Sequence, residues 1–516
     1  MNPEREPPWW PRAAVVLLLA AIALATRLPA PWRVEVINDE MYHLESWMRR
    51  YRSDDVAPLF HRQLAGSRVL DSRWKARIED LYRRGPLVQR LVCVKNDYGS
   101  FGFSTMAEVI EALSHSNLIA LRLPSVAFAL ATVVLAYLAG RALRDRALGL
   151  WLAVLVTVGP LPQVYAGLGR PHGLTQLALF LVVYRFILEQ KQDYPSPRRL
   201  LLAALFAQTT HLTCWAGVGV LVLSELVRRR LRGATPGTLV RQTWWYAALS
   251  LAFLGIIAFN GLGTSFFLAN VSSPGSEKIG RNFCLASPFG HLAALGDEGL
   301  WASGLLFCLL IALGAAALFA PGTPYRGVRW PFLVVAGFTM SVPMVASHEV
   351  RHQMIYGVVP MVLAAIGARA LFRSERAGLA GQAVVLLVLG GLALVRPADP
   401  YETILPAETR YSEVAARLAR ELAPGDVWLS CPYFAGIPLA RYQPPPLPEP
   451  ILPLNPAELD EALRGRPADR SLFVLTGGVF LSLHPALREA EPIATFSNDL
   501  RLLRFPPRRE GLGRAR

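Results

Sequence analysis

Lysine and cysteine are both scarce in this chain of 516 residues. Of its 53 basic residues only four are lysines, and the other 49 are arginines. The five cysteines do not have the spacing of a zinc site, which argues against the common zinc-binding modules. Whether Cys93 and Cys284 form a disulfide is left open, because sequence does not give the Cα separation that a disulfide requires.

Acidic residues are fewer than basic ones, and the net charge is +15. A positive charge of this size can indicate a nucleic-acid partner. Here the arginines lie in short segments between long apolar runs, where membrane topology explains them better. We therefore predict that the chain does not bind nucleic acid.

Long apolar runs are abundant, and most of them are about as long as a membrane span. The first run follows Arg12 and lacks a small-residue cleavage site, so we interpret it as an uncleaved span rather than a signal peptide. The sequence predicts an all-α polytopic bundle of about eleven transmembrane helices. The predicted spans are 13–30, 118–140, 148–164, 173–189, 200–212, 214–227, 243–262, 299–320, 331–346, 354–372 and 378–395.

The topology depends on residues 200–227, which form either one long helix or two short helices that meet near His211. With two helices, every short arginine-rich loop falls on one side of the membrane, as the positive-inside rule requires. With one helix, the later basic loops would face outward. We prefer the hairpin, which puts the long first loop, 31–117, and everything after residue 396 on the outer side.

The segment after residue 396 has a different pattern from the rest of the chain. Residues 411–423 have apolar residues at helical spacing, whereas 426–431, 471–477 and 500–505 are typical of buried strands. We predict two domains. A membrane domain spans 1–395, with interfacial helices in its first outer loop, and a small extracytoplasmic α/β domain spans 396–516.

A group of acidic residues follows the first predicted span. Asp39 and Glu40 stand at the start of an amphipathic helical pattern, and His43 lies one turn later. A carboxylate at a helix N-terminus tends to stay ionised and can act as a general base. An N-cap role for Asn38 or Asp39 explains the same spacing about as well.

Several cationic residues are predicted to lie in short turns on the same outer side. Each has a structural alternative, because arginines at span ends often extend to the interface and a single histidine in a turn is often structural. These cations lie on the same predicted side as the carboxylate pair, and this combination indicates a lipid-phosphate substrate. These residues are Arg170, His172, His211, Arg351 and His352.

Five segments, taken in order, resemble the GT-C superfamily of membrane glycosyltransferases, and in particular its protein mannosyltransferase and aminoarabinose transferase branch. His172 and His352 stand where that branch usually has an aromatic residue. The segments are "NDEMYH" (38–43), "LIALRLPSVAFALATVVLAYLAGRAL" (118–143), "YAGLGRPHGLTQLALFL" (165–181), "THL" (210–212) and "RHQMIYGVVP" (351–360).

The resemblance implies an inverting transfer of a hexose or pentose from a polyprenyl phosphate to an acceptor outside the cytoplasm. It implies Asp39 as the base with Glu40 as its partner, and Arg351, Arg170 and His211 as ligands of the donor phosphate. His43, His172 and His352 are candidate helpers. Some relatives bind a divalent metal through a D-x-D motif, which the outer loops here lack. We predict no cofactor and no metal site, and metal dependence stays open.

The partners implied are a polyprenyl-phosphate sugar, membrane lipids and a lipid, protein or polysaccharide acceptor, and the location implied is a bacterial plasma membrane. The main alternative is a transporter or flippase of a lipid-linked or anionic solute. Transport sites usually lie near the bilayer midplane, whereas the candidate residues here lie at one surface. The sugar, the acceptor, the polyprenol length and the oligomeric state are left open.

Overall fold

The structure is a computed structural model that describes two separate parts of the chain. In the helical part it describes residues 10–29, 72–84, 101–114, 118–192, 196–211, 214–260, 301–345 and 357–395. In the C-terminal part it describes 411–431, 439, 447–448, 451, 456–466, 468–477, 481, 484–496 and 500–507. The two parts belong to two compact units.

The helical unit consists of helices connected in series. They are α1 (Trp10–Arg27), α2 (Ser72–Arg84), α3 (Phe101–Ser114), α4 (Leu118–Leu143), α5 (Arg146–Val158), α6 (Pro160–Ala166), α7 (Pro171–Lys191), α8 (Arg198–Thr210), α9 (Cys214–Leu231), α10 (Pro236–Asn260), α11 (Trp301–Ala317), α12 (Arg329–Val345), α13 (Val358–Leu371) and α14 (Glu375–Val385). A π-helical turn, Leu386–Gly390, extends α14 into α15 (Gly391–Val395).

Each predicted span coincides with a described helix or with consecutive helices. The outer faces of these helices are apolar, and Leu17, Leu223 and Leu305 are each more than 60% exposed. Apolar faces of this kind indicate a lipid environment, because a soluble bundle covers such surface. By length and composition, two described helices qualify as spans, Ile119–Leu143 and Pro171–Lys191. The helical fold class is confirmed, and the count of about eleven spans stays a prediction.

The helix break near His211 is present in the structure. Helix α8 ends at Thr210, and α9 begins at Cys214. Arg229, near the end of α9, pairs with Glu189, near the end of α7, with Nη2 and Oε2 2.7 Å apart. The ends of α7 and α9 therefore meet, which requires the chain to reverse between them. A single helix over 200–227 would carry Arg229 to the opposite end of the bundle.

The arginine-rich turns meet at one end of the bundle, which we name the charged end. Asp145 caps α5 through the amide of Leu148 and accepts a bond from Arg369 Nε at 3.2 Å. Gln190 Nε2 donates to Glu225 Oε2 at 3.0 Å. The turns that contact one another there include residues 144–145, 189–190, 225–229, 325–327 and 369–375. The predicted clustering of basic loops on one side agrees with these contacts.

Arg12 at the start of α1 also reaches the charged end, where its guanidinium binds the carboxylate of Glu375. This hydrogen bond holds the pKa of the Glu375 carboxyl below its usual range. The N-terminal end of α1 therefore lies at the charged end. The C-terminal end of α1, which leads toward Asp39 in sequence, lies at the other end.

Two helices of the unit cross with almost no side chain between them. A Cβ placed on Gly314 of α11 would lie 1.8 Å from the carbonyl oxygen of Leu363 in α13, and one on Gly367 would lie 2.0 Å from the carbonyl of Leu310. Small residues permit such close backbone approach, which stabilises helix pairs in lipid. Antiparallel packing of α11 and α13 is fixed by these contacts.

The C-terminal unit is a small α/β domain. Its elements are α16 (Tyr411–Glu421), β1 (Val427–Cys431), α17 (Pro456–Arg464), β2 (Leu472–Gly477), a 3₁₀ turn (Pro485–Glu489), β3 (Glu491–Thr495) and β4 (Leu500–Phe505). The sheet order is β1-β2-β4-β3, with β1 and β2 parallel and the other pairs antiparallel. One face packs on α16 through Trp428 and Phe473, and the other packs on α17 through Leu429 and Val474. The predicted α/β class of this segment is confirmed.

Candidate functional site

The second end of the bundle carries the candidate site, and we name it the histidine end. The end of α1, the α5–α6 junction, the start of α7 and the end of α8 meet there. Helix α3, from the long first loop, also lies there, since a Cβ on Gly102 would lie 3.0 Å from Thr209 Oγ1. The part of the first predicted outer loop that forms α3 therefore lies at the histidine end.

Arg27 connects the end of α1 to α5 by hydrogen bonds. Its Nη2 donates to the carbonyl oxygens of Val156 at 3.0 Å and Thr157 at 3.3 Å, and the residue is completely buried. These carbonyls end α5, where the helix dipole favours a cation. Gln163 Nε2 donates to the same Thr157 carbonyl at 2.9 Å. The point from which the chain leaves toward Asp39 is thereby fixed.

Three aromatic rings form two neighbouring pairs at the histidine end. The rings of Tyr165, at the end of α6, and His172, in the first turn of α7, have centroids 4.6 Å apart. His172 and His211, the C-cap of α8, have centroids 5.9 Å apart. Tyr165 and His172 are each 1% exposed, and His211 is half-buried. The predicted site residues His172 and His211 therefore lie together.

Cationic residues are also buried at the histidine end. Arg170 is the N-cap of α7 and is 7% exposed, and Arg122, one turn into α4, is 1% exposed. Among the residues that the structure describes, the buried carboxylates are Glu189 and Glu225, and both lie at the charged end. The histidine end thus concentrates positive charge in a partly dry setting, where it interacts strongly with an anion.

Gln176 lies one turn after His172 on α7 and is 1% exposed. Within the part of the chain that the structure describes, neither its Oε1 nor its Nε2 makes a hydrogen bond. The same holds for the buried hydroxyl of Ser125 in α4. Gly173 stands beside Ser125, because a Cβ at Gly173 would lie 3.7 Å from the Ser125 carbonyl oxygen. Two buried polar side chains therefore share one region of the α4–α7 interface.

The remaining predicted site residues fall outside the described residues. Asp39, Glu40 and His43 lie in sequence between α1 and α2, and Arg351 and His352 lie between α12 and α13. Cys93 and Cys284 are outside as well. Within the described ranges, no group of three metal-binding side chains is found.

Sequence analysis missed Arg27, Arg122, Tyr165, Ser125 and Gln176 as members of this region. Arg122 and Ser125 belong to the "R-x-P-S" sequence that begins α4, and Tyr165 and Gln176 belong to the segment 165–181. The available signal was a polar residue inside an apolar run. Such a residue in a membrane helix usually faces the bundle interior and often has a function.

Comparison with solved structures finds the same fold elsewhere. Crystal structures of ArnT from Cupriavidus metallidurans, in the apo state and bound to undecaprenyl phosphate, each have a TM-score of 0.52 and 12% identity to this chain. The alignment with the apo structure covers 96% of this chain and 98% of the ArnT chain. The alignment with the bound structure covers 95% of this chain and 98% of the ArnT chain. The Archaeoglobus fulgidus oligosaccharyltransferase in complex with Zn and sulfate is less similar, with a TM-score of 0.45, 11% identity and coverage of 83% and 61%.

No protein-family model matches the chain, and no curated protein matches it significantly in sequence. At 12% identity, the likeness to ArnT is one of fold. It extends over nearly the whole of both chains, so it includes the helical unit and the C-terminal unit. The fold that the five sequence segments predicted is confirmed by this likeness.

Proposed function

We propose that this protein is an inverting membrane glycosyltransferase that moves a hexose or pentose from a polyprenyl phosphate to an acceptor. The observation that carries the proposal is the group formed by buried Arg170, buried His172 and half-buried His211 at one end of a bundle with the fold of ArnT. ArnT from Cupriavidus metallidurans has been crystallised with undecaprenyl phosphate. We assign the same class of lipid phosphate to this chain as its donor.

Positive charge at the histidine end supports binding of the donor phosphate. Arginine stays charged at every physiological pH and can bind a phosphate with two parallel hydrogen bonds. Arg170 is the N-cap of α7, where the helix dipole also favours an anion. We assign Arg170, Arg351 and His211 to the phosphate, with His172 and His352 as helpers.

The reaction needs one base and one departing phosphate. Asp39 takes the proton from an acceptor hydroxyl or amine, with Glu40 and His43 beside it, and the acceptor atom forms a bond to the anomeric carbon. The bond from that carbon to the phosphate oxygen breaks, and the phosphate leaves with the electron pair as polyprenyl phosphate. Displacement from the opposite face inverts the anomeric centre. The cations stabilise the departing charge, where most of the rate gain should arise.

We assign the two ends of the bundle to the two sides of the membrane from the positions of their arginine residues. The arginine-rich turns of the charged end are typical of the cytoplasmic face, so the histidine end and the C-terminal unit belong outside the cytoplasm. A bacterial plasma membrane is the proposed location. The proposed reaction uses no cofactor, and its partners are the donor, membrane lipids and a lipid, protein or polysaccharide acceptor.

The distribution of buried charge favours an enzyme over a transporter. Among described residues, the buried charged side chains lie near the two ends of the bundle, as Arg27, Arg170 and Glu189 do. Transporters usually place such residues near the bilayer midplane, where the substrate crosses.

The test uses the purified full chain in proteoliposomes with undecaprenyl phosphates that carry mannose, glucose or arabinose. The proposal predicts release of undecaprenyl phosphate from at least one donor when envelope extract supplies the acceptor, and mass spectrometry identifies the glycosylated product. Movement of intact donor across the bilayer without its consumption would support a flippase and overturn the proposal. Absence of both would overturn it as well.

A further inference from the structure

The side chain of Gln176 is placed where a simple structural role does not account for it. Its amide has two N–H donors and a carbonyl acceptor, all buried and all without a hydrogen bond within the described chain. A buried polar group without a hydrogen-bond partner makes the fold less stable than an apolar group of the same shape would. In a membrane helix, such a residue is a candidate to bind a ligand group.

The hydroxyl of Ser125 differs from the hydroxyls of Thr132 and Thr175, two other buried residues of α4 and α7. Thr132 Oγ1 and Thr175 Oγ1 donate to the carbonyl four residues earlier, at 2.7 and 2.8 Å. Such bonds satisfy a buried hydroxyl within its own helix. Ser125 Oγ makes no bond of this kind among the described residues, although Ser125 is completely buried. Its hydroxyl remains available to donate and to accept.

Gly173 relates the positions of these two residues. Gly173 and Gln176 lie on one face of α7, and a helical side chain leans back toward the preceding turn. The nearest atoms to a Cβ at Gly173 would be the carbonyl oxygens of Ser125 and Tyr165 and the Cβ of Phe128, at 3.7, 3.9 and 4.0 Å. A methyl group would therefore fit there without a clash. Gln176 lies one helical turn after His172, whose ring contacts that of Tyr165.

We propose that Gln176 and Ser125 form a polar subsite that binds hydroxyl groups of the donor sugar and so determines which sugar is accepted. The proposal rests on the function proposed above and adds its specificity determinant. A sugar hydroxyl both donates and accepts, as do the Gln176 amide and the Ser125 hydroxyl. A site that hydrogen-bonds a substrate hydroxyl rejects analogues that lack it, because its own polar groups are then left without partners.

The experiment compares two affinities of the purified full chain. One is for undecaprenyl phosphate, and the other is for the best donor among undecaprenyl phosphates that carry mannose, glucose or arabinose. Their ratio measures what the sugar adds to binding. We expect the donor to bind more tightly in the wild type, and we expect Gln176→Met to reduce this gain roughly tenfold while leaving undecaprenyl phosphate binding unchanged.

Two further variants keep the test independent of folding. Gly173→Ala fills the room beside Ser125 with a methyl group that fits, so it should fold normally and reduce the sugar-dependent gain. Gln382→Met is the matched control. Gln382 is buried near the charged end, where its Nε2 donates to the carbonyl oxygen of Ala147 at 3.3 Å, so this variant should leave the gain unchanged.

The stability of Gln176→Met separates a binding role from a structural one. Removing a buried amide without partners should raise or preserve the melting temperature of the protein. The sugar-dependent gain in affinity should fall in the same variant only if the amide contacts the sugar. An unchanged gain in Gln176→Met and Gly173→Ala would overturn the subsite, and a bound water would then account for Gln176. No gain in the wild type would overturn it too. Failure of undecaprenyl phosphate itself to bind would instead contradict the proposed function.

Discussion

The imidazole rings of His172 and His211 have centroids 5.9 Å apart and are tilted by 43° to each other, although they belong to different helices of the bundle. His172 lies in the first turn of α7, and His211 ends α8 at the point where the chain reverses into α9. The contact exists because α8 and α9 are two short helices rather than one long one. The hairpin therefore contributes directly to the candidate site.

His172→Phe should weaken donor use without unfolding the protein. Phenylalanine keeps the ring against Tyr165, which is 4.6 Å away between centroids, but it removes both nitrogens. We expect the KM for the polyprenyl-phosphate donor to rise roughly tenfold with little change in kcat, as for the loss of one hydrogen bond to a charged group. Steady-state kinetics with purified protein provide the measurement. An unchanged KM would mean that His172 only packs.

Arg170→Ala should reduce affinity for undecaprenyl phosphate by roughly 10- to 100-fold, because a charge-assisted contact to phosphate is lost. Isothermal titration in detergent micelles measures the change. Arg185→Ala is the matched control on the same helix, since Arg185 lies toward the charged end over the ring of Tyr184. Equal losses in both variants would show that Arg170 has no specific role at the phosphate.

Gly314→Ala should strongly destabilise the bundle. The added methyl would lie 1.8 Å from the carbonyl oxygen of Leu363, and backbone atoms cannot move aside as a flexible side chain can. The expected cost is about 3 kcal/mol, at the upper end for overpacking. Gly337→Ala is the control, because nothing lies within 4 Å of the added methyl. Thermal unfolding of the two variants should differ clearly, and similar melting temperatures would contradict the tight α11–α13 crossing.

Arg229→Met should destabilise the charged end by about 3–5 kcal/mol, the usual cost of leaving a buried charge without its partner. Glu189 would lose its salt bridge to Arg229, whereas Glu225 would keep Arg228 at 2.7 Å. Adding Glu189→Gln should recover part of the loss, because the uncompensated charge is then removed. Chemical denaturation of single and double variants measures both effects. A double variant less stable than Arg229→Met would refute the pairing.

Sequence alone was sufficient for the large-scale architecture. The arginine distribution predicted the reversal at His211, and apolar patterning predicted strands β1, β2 and β4. Strand β3 was missed, because its sequence, Glu491–Thr495, contains a proline and is largely exposed at the sheet edge. Edge strands lack the alternation of apolar and polar residues on which strand predictions depend.

The internal arrangement of the site was less predictable. His172 and His211 were predicted on one side, but nothing in their spacing indicates that their rings are neighbours. Arg27 was missed, since its partners are backbone carbonyls of α5 and leave no trace in sequence. Gln176 was missed because one amide in an apolar helix has many structural explanations. Tertiary packing, rather than local pattern, selects these residues.

The central claim is that Asp39 removes the acceptor proton during sugar transfer from a polyprenyl phosphate. The most direct measurement is the rate of undecaprenyl phosphate release by Asp39→Asn in proteoliposomes, beside the wild type and Glu40→Gln. The account predicts that Asp39→Asn lowers kcat by roughly 10²- to 10⁴-fold while donor affinity is unchanged. Release at the wild-type rate by Asp39→Asn would contradict it.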